Sequence, residues 1–81
     1  MVSCADYDYV EIACLYRFHV RLQLSSGEQI DGHALDTKTD LARRECIEIT
    51  QADTTTLVPI ESIKQMHALT ENKHFTTVRF S

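Results

Sequence analysis

Apolar and polar residues alternate along "RFHVRLQL": Phe18, Val20, Leu22 and Leu24 point one way, and Arg17, His19, Arg21 and Gln23 the other. A period of two marks a half-buried strand. Before it the period is helical. Tyr7, Val10 and Cys14 recur at i, i+3 and i+7, with Asp8, Glu11 and Leu15 on the neighbouring stripe, which predicts a helix over about Asp6 to Tyr16. Ser3 or Asp6 is the candidate cap, and acids in the first turn suit the helix dipole. After the first strand, Ser25-Ser26-Gly27-Glu28 reads as a turn, with Gly27 free to take a positive φ. A second strand is expected over Gln29–Leu35, with Ile30, Gly32 and Ala34 inward and Gly32 marking a bend or a close backbone approach. The polar run "DTKTDLARR", Asp36 to Arg44, reads as a loop. Glu45–Thr50 follows as a third strand with Ile47 and Ile49 inward, and Gln51-Ala52-Asp53 as a turn. Thr54–Ile60 is a fourth strand ended by Pro59, "IESI" a tight turn, and Ile63–Leu69 a fifth strand. Phe75–Phe80 is a possible sixth. One helix and five or six short antiparallel strands predict a mainly β fold closed into a small, strongly bent barrel, which would hide its edges.

At 81 residues the chain is one domain, helix about 6–16 and barrel about 17–80. A chain of this length buries only ~60% of its unfolded surface, so a water-excluding enzyme pocket is hard to fit and a binding module is the better expectation. The chain carries 8 Lys and Arg against 12 Asp and Glu, a net charge of −4. That balance disfavours direct nucleic-acid binding, which draws on cations, and favours a basic protein surface as partner. Asp6, Asp8 and Glu11 are the only charged residues among the first 16, so three of the four excess negative charges sit at the N-terminus. No apolar run approaches the ~20 residues of a membrane span. The opening "MVSCADYDYV" lacks a basic, then apolar leader, so a cytoplasmic setting with reduced thiols is expected.

The stretch "CADYDYVEIAC", Cys4 to Cys14, concentrates the candidate chemistry. A metal site calls for closer spacing such as C-x₂₋₄-C. Ten helical steps also turn the second thiol about 280° from the first, so Cys4 and Cys14 read as packing residues. Cys46 reads as a small, half-buried filler in the third strand. His19, His33, His67 and His74 are scattered and read as surface histidines. Arg17, His19 and Arg21 read as a solvated outer face, paired with the acidic helix. No nucleophile–base motif and no phosphate-cradling loop is present, and the only glycines are Gly27 and Gly32. No enzymatic activity, cofactor or metal is therefore expected. Taken alone, Asp6, Asp8 and Glu11 fit capping and ordinary solvation, but these do not explain 16 residues without a base.

The order of elements resembles the Sm-like fold. The resemblance rests on the alternating "FHVRLQL", on "SSGEQIDGHAL" with its turn and bend glycines, and on "VPIESIKQM" with its short turn between strands. The N-terminal stretch is more specific. It is similar to the pattern C-x-D-Y-D-x-x-E-x-A-C of the Rof family, small bacterial inhibitors of the termination factor Rho. Cys4, Asp6, Tyr7, Asp8, Glu11, Ala13 and Cys14 match it, within a resemblance running from about Cys4 to Leu69. The resemblance implies a cytoplasmic, monomeric antiterminator that binds the RNA-binding domain of Rho and blocks RNA loading. It places Asp6, Tyr7, Asp8 and Glu11 in the contact. It adds, through the loop after the second strand, Lys38, Arg43 and Arg44, although that loop matches the family poorly. Two alternatives stand beside it: an Sm-type RNA-binding ring, and a barrel that binds another basic partner.

Overall fold

The structure, a computed structural model, describes residues 4–80. A helix α1 (Cys4–Leu15) leads into β1 (His19–Leu24), β2 (Gln29–Thr39), β3 (Glu45–Gln51) and β4 (Thr54–Pro59). A 3₁₀ turn (Ile60–Ser62), β5 (Ile63–Ala68) and β6 (Thr77–Arg79) complete the chain. All strands belong to one antiparallel sheet in the order β4-β3-β2-β1-β5-β6. The expected Ser3 cap lies outside the described residues, and Asp6 stands within the first turn of α1 rather than capping it.

The mainly β class and the N-terminal helix agree with the pattern; the closure does not. The sheet keeps two free edges, β4 and β6. Closing it would pair β4 with the outer edge of β5, but β6 already occupies that edge through Gln65↔Arg79, Met66↔Val78 and His67↔Thr77. Pro59, with no N–H to give, ends β4, and the 3₁₀ turn carries the chain across. The bending itself is present. Any Cβ at Gly32 would collide with the Ile49 side chain and the Thr50 carbonyl, so β2 and β3 approach more closely there than another residue permits. Register shifts follow between Ala34 and Asp36 and between Gln23 and Leu24.

Two further boundaries differ. The polar run expected as a loop continues β2 as far as Thr39, because Thr37, Lys38 and Thr39 pair with Ile47, Cys46 and Glu45. The true loop is Asp40–Arg44. The last strand is only Thr77–Arg79, yet it matters to the core: Val78 and Phe80 are buried.

The core lies between α1 and the concave face of the sheet. Val10 and Ala13 from the helix meet Val20, Leu22, Ala34, Ile47, Ile49, Val58, Ile60, Ile63 and Met66. Cys46 is fully buried, not half-buried, because the Asp40–Arg44 loop covers its thiol, which lies 3.7 Å from Asp40 Oδ2 and 3.5 Å from the Arg44 carbonyl. Cys4 is exposed at the helix start, so it does not pack as expected, while Cys14 is half-buried against the core. α1 ends in a Schellman motif. The Phe18 amide donates to the Ala13 carbonyl (2.9 Å) and the Arg17 amide to Cys14 (3.2 Å), with Arg17 held at φ 53°. This turn aims Phe18 into the core and fixes where the helix lies.

Candidate functional site

α1 sorts its residues by face. Val10 and Ala13 are buried, and Tyr7, Tyr9, Ile12 and Cys14 pack half-buried around them. Asp8, Glu11 and Leu15, spaced i, i+3 and i+7, face solvent. Leu15 is 73% exposed, large for an apolar residue on a small domain. Asp6 is half-buried in the first turn.

Between this stripe and β2 runs an open groove of about 650 Å³. Asp8, Glu11, Ile12 and Leu15 form one wall, Leu35, Asp36 and Thr37 the other. Three carboxylates therefore rim a partly apolar floor. Asp36 escaped the expectation because "DTKTDLARR" looked like loop, and Leu35, expected at the end of the second strand, was not singled out as a site residue. The signal that could have found them is Thr37, a β-branched residue that extends the alternation of β2 beyond Leu35. The groove's effect on its neighbours is visible at Cys14. Burial, then the negative charges of Asp36 and Glu11, push its thiol up to about 11, so it stays protonated near neutrality.

Tyr7 joins helix to sheet. Its hydroxyl donates to Glu45 Oε2 at 2.9 Å. Burial, then that carboxylate, raise the phenol above its ordinary value. Because Glu45 directly follows the Asp40–Arg44 loop, this bond sets the start of the acidic helix beside the loop. The expected groups at both places thus lie at one end of the molecule.

The loop's bases differ among themselves. Lys38 stands on β2, and its Nζ meets Glu48 at 3.2 Å. Arg44 reaches Asp40 at 2.8 Å. Arg43 is exposed, with φ 65°. Lys38, Arg43 and Arg44 stand among Asp40, Glu45 and Glu48, so the region as a whole carries no net charge. Among the described residues no ion pair reaches Asp8 or Glu11.

The opposite, convex face carries the remaining candidates. Arg21 does not pair with the helix. It forms a forked pair with Asp31 on the adjacent strand, Nε to Oδ1 and Nη2 to Oδ2 both at 3.0 Å. The fork holds the Asp31 carboxyl below its ordinary range. His19 and His33 stack across β1 and β2, ring centroids 4.7 Å apart, although sequence spacing showed no pair. Among the described residues no group of three or more His, Cys, Asp or Glu could hold a metal ion. No helix among the described residues is long and apolar enough to cross a membrane.

These features define a small β domain that presents a preformed acidic helix face over an open groove, the anatomy of a binding module. The comparisons with known proteins give it a family. A family model described as modulator of Rho-dependent transcription termination (ROF) matches residues 1–80. Among solved structures the chain is similar to "YaeO bound to Magnesium from Vibrio cholerae O395", at 37% identity and a TM-score of 0.89. That match covers 93% of this chain and 97% of the other. No curated protein sequence matches. The chain belongs to the ROF family, whose members modulate Rho-dependent termination of transcription and so act as regulators through Rho.

Proposed function

We propose that this protein inhibits Rho by docking the solvent face of α1 on Rho's RNA-binding domain, where it keeps RNA from loading. The observation that carries this reading is the stripe Asp8–Glu11, exposed and without an ion pair among the described residues, across the groove from Asp36. A surface that binds RNA presents Lys and Arg to phosphates. Carboxylates on a rigid helix meet the same cations, with steering at long range and fixed register at contact.

Asp6 and Tyr7 flank the stripe in this complex. Tyr7 acts partly by holding the helix to Glu45. Lys38 and Arg44 already have carboxylate partners, so their role is to hold the adjoining loop in shape, and Arg43 is the base that faces the partner. Asp40, Glu45 and Glu48 offset the three bases Lys38, Arg43 and Arg44, so the region can approach a basic surface without net repulsion. The protein acts as a cytoplasmic monomer, with no chemistry of its own and no direct contact with nucleic acid.

The test is displacement. Purified Rho holding fluorescent C-rich RNA is titrated with this protein while anisotropy is read. RNA should be released, and an Asp8→Ala/Glu11→Ala variant of unchanged melting temperature should need about tenfold more protein at low salt. The wild-type effect should weaken as ionic strength rises. Release that is indifferent to salt, or equally strong with the double variant, would refute the acidic-helix mechanism.

A further inference from the structure

The loop Asp40–Arg44 is held by more bonds than a five-residue connection needs. Asp40 Oδ1 accepts from the amides of Ala42 and Arg44, each at 2.9 Å. Asp40 Oδ2 accepts from Arg44 Nε at 2.9 Å. The backbones close it again, Asp40 N–H to Arg44 carbonyl and Arg43 N–H to Asp40 carbonyl, both at 3.0 Å. Arg43 sits in the left-handed region, where a residue other than glycine is strained. What this cage presents is Leu41, fully exposed. Single exposed leucines are common on protein surfaces. This one differs in standing on a rigid, partly strained loop. It also borders an open groove of about 540 Å³ shared with Thr39, Asp40, Ala42, Arg44 and the exposed Leu57 of β4.

We propose that Leu41 is an apolar anchor that enters a nucleobase pocket on the RNA-binding domain of Rho, with Leu57 and Ala42 closing over its rim. The proposal rests on the docking reading above and deepens it. Single-stranded RNA is held in two ways at once: cations track its phosphates, and apolar or aromatic platforms take its bases. A protein that replaces RNA with carboxylates alone leaves the second half of such a site empty and wet. Here the two halves are supplied from one end of the molecule. Asp8 and Glu11 stand for phosphates on α1. Leu41 stands for a base on the loop, and the Tyr7–Glu45 bond fixes the helix beside that loop. Because the cage orders Leu41 before contact, little freedom is lost on binding. Buried apolar anchors of this kind dominate the energy of many interfaces.

The same displacement assay tests the anchor with three variants. Leu41→Ala should require about tenfold more protein to release RNA, the size of effect expected for a hot spot. Leu41→Met, which keeps the apolar volume, should restore most of the effect. Melting temperatures should match wild type, since the side chain packs on nothing in the core. Salt separates the anchor from the helix. The Leu41→Ala deficit should persist at raised ionic strength, while the Asp8→Ala/Glu11→Ala deficit should shrink as the charges are screened. If Leu41→Ala displaces RNA as well as wild type while the double variant fails, the anchor is wrong and the acidic-helix reading stands. If Leu41→Ala fails only together with a fall in melting temperature, or Leu41→Met fails equally, the anchor is likewise refuted. If wild-type protein releases no RNA at large excess, both proposals fall.

Discussion

Charge is handled in two different ways on the two sides of this small domain. On the strands and the Asp40–Arg44 loop, acids and bases are matched at close range: Arg21 with Asp31, Lys38 with Glu48, Arg44 with Asp40. On α1, Asp8 and Glu11 are left to solvent, and the neighbouring groove adds Asp36 instead of a cation. Exposed matched pairs contribute little to stability, ~0–1 kcal/mol each. Their evident effect is to make the sheet and loop electrically quiet. Nearly all of the molecule's attraction for a basic surface is then concentrated in one helix. A protein of this size gains specificity as much from the charges it cancels as from those it displays.

Charge reversal tests the contrast most strongly. Asp8→Lys with Glu11→Lys should abolish release of RNA from Rho, because like charges now meet. Swapping the strand pair, Arg21→Asp with Asp31→Arg, should leave release unchanged, as read by the same anisotropy titration. Equal losses from both would mean that the two regions do not differ in function. A smaller effect is expected at the tie between them. Tyr7→Phe removes one hydroxyl donor and should lower stability by about 0.5–1.5 kcal/mol in urea unfolding. It should also weaken binding somewhat through looser placement of the helix. The smallest effect concerns the thiols. Cys4 is exposed, whereas Cys14 is half-buried and kept protonated up to about pH 11. At pH 8 a maleimide or alkylating reagent, followed by mass spectrometry, should label Cys4 well before Cys14. The same upward shift makes the thiol's contribution to stability complete below its ordinary value near 9.0. That contribution is lost as pH rises toward 11, so Cys14→Ser should flatten a slight alkaline decline.

Much of this was readable from the chain. The period-two run at Phe18–Leu24, the turn at Gly27 and the bend at Gly32 are local signals, and each stands where the pattern put it. The acidic stripe of α1 was equally plain, since helical spacing alone puts Asp8 beside Glu11. What was not readable depends on partners distant in sequence. Asp36–Thr39 look like loop until their pairing with β3 is known. The barrel expected from strand count stays open because three residues near the C-terminus take the edge of β5 that closure would need. Arg21 chose Asp31 over the helix because a direct cross-strand neighbour is always within reach. Leu41 was invisible as a candidate since a leucine within a polar run gives no sign of whether it is covered.

The strand order has a consequence for how the domain assembles. β1 to β4 form by successive hairpins, each joining neighbours along the chain, and such closures are fast. The β1–β5 ladder is different: Val20 must find Ala68 and Leu22 must find Met66, across the whole of the intervening meander. Loop closure over that span comes before any of its contacts repay it, and proteins rich in such contacts fold slowly. Until β5 arrives, one edge of the central strand is bare, and the buried side chains of Met66, Val78 and Phe80 are missing from the core. The refolding rate should therefore respond to changes along the β1–β5 seam far more than to changes in α1, the part that meets the partner.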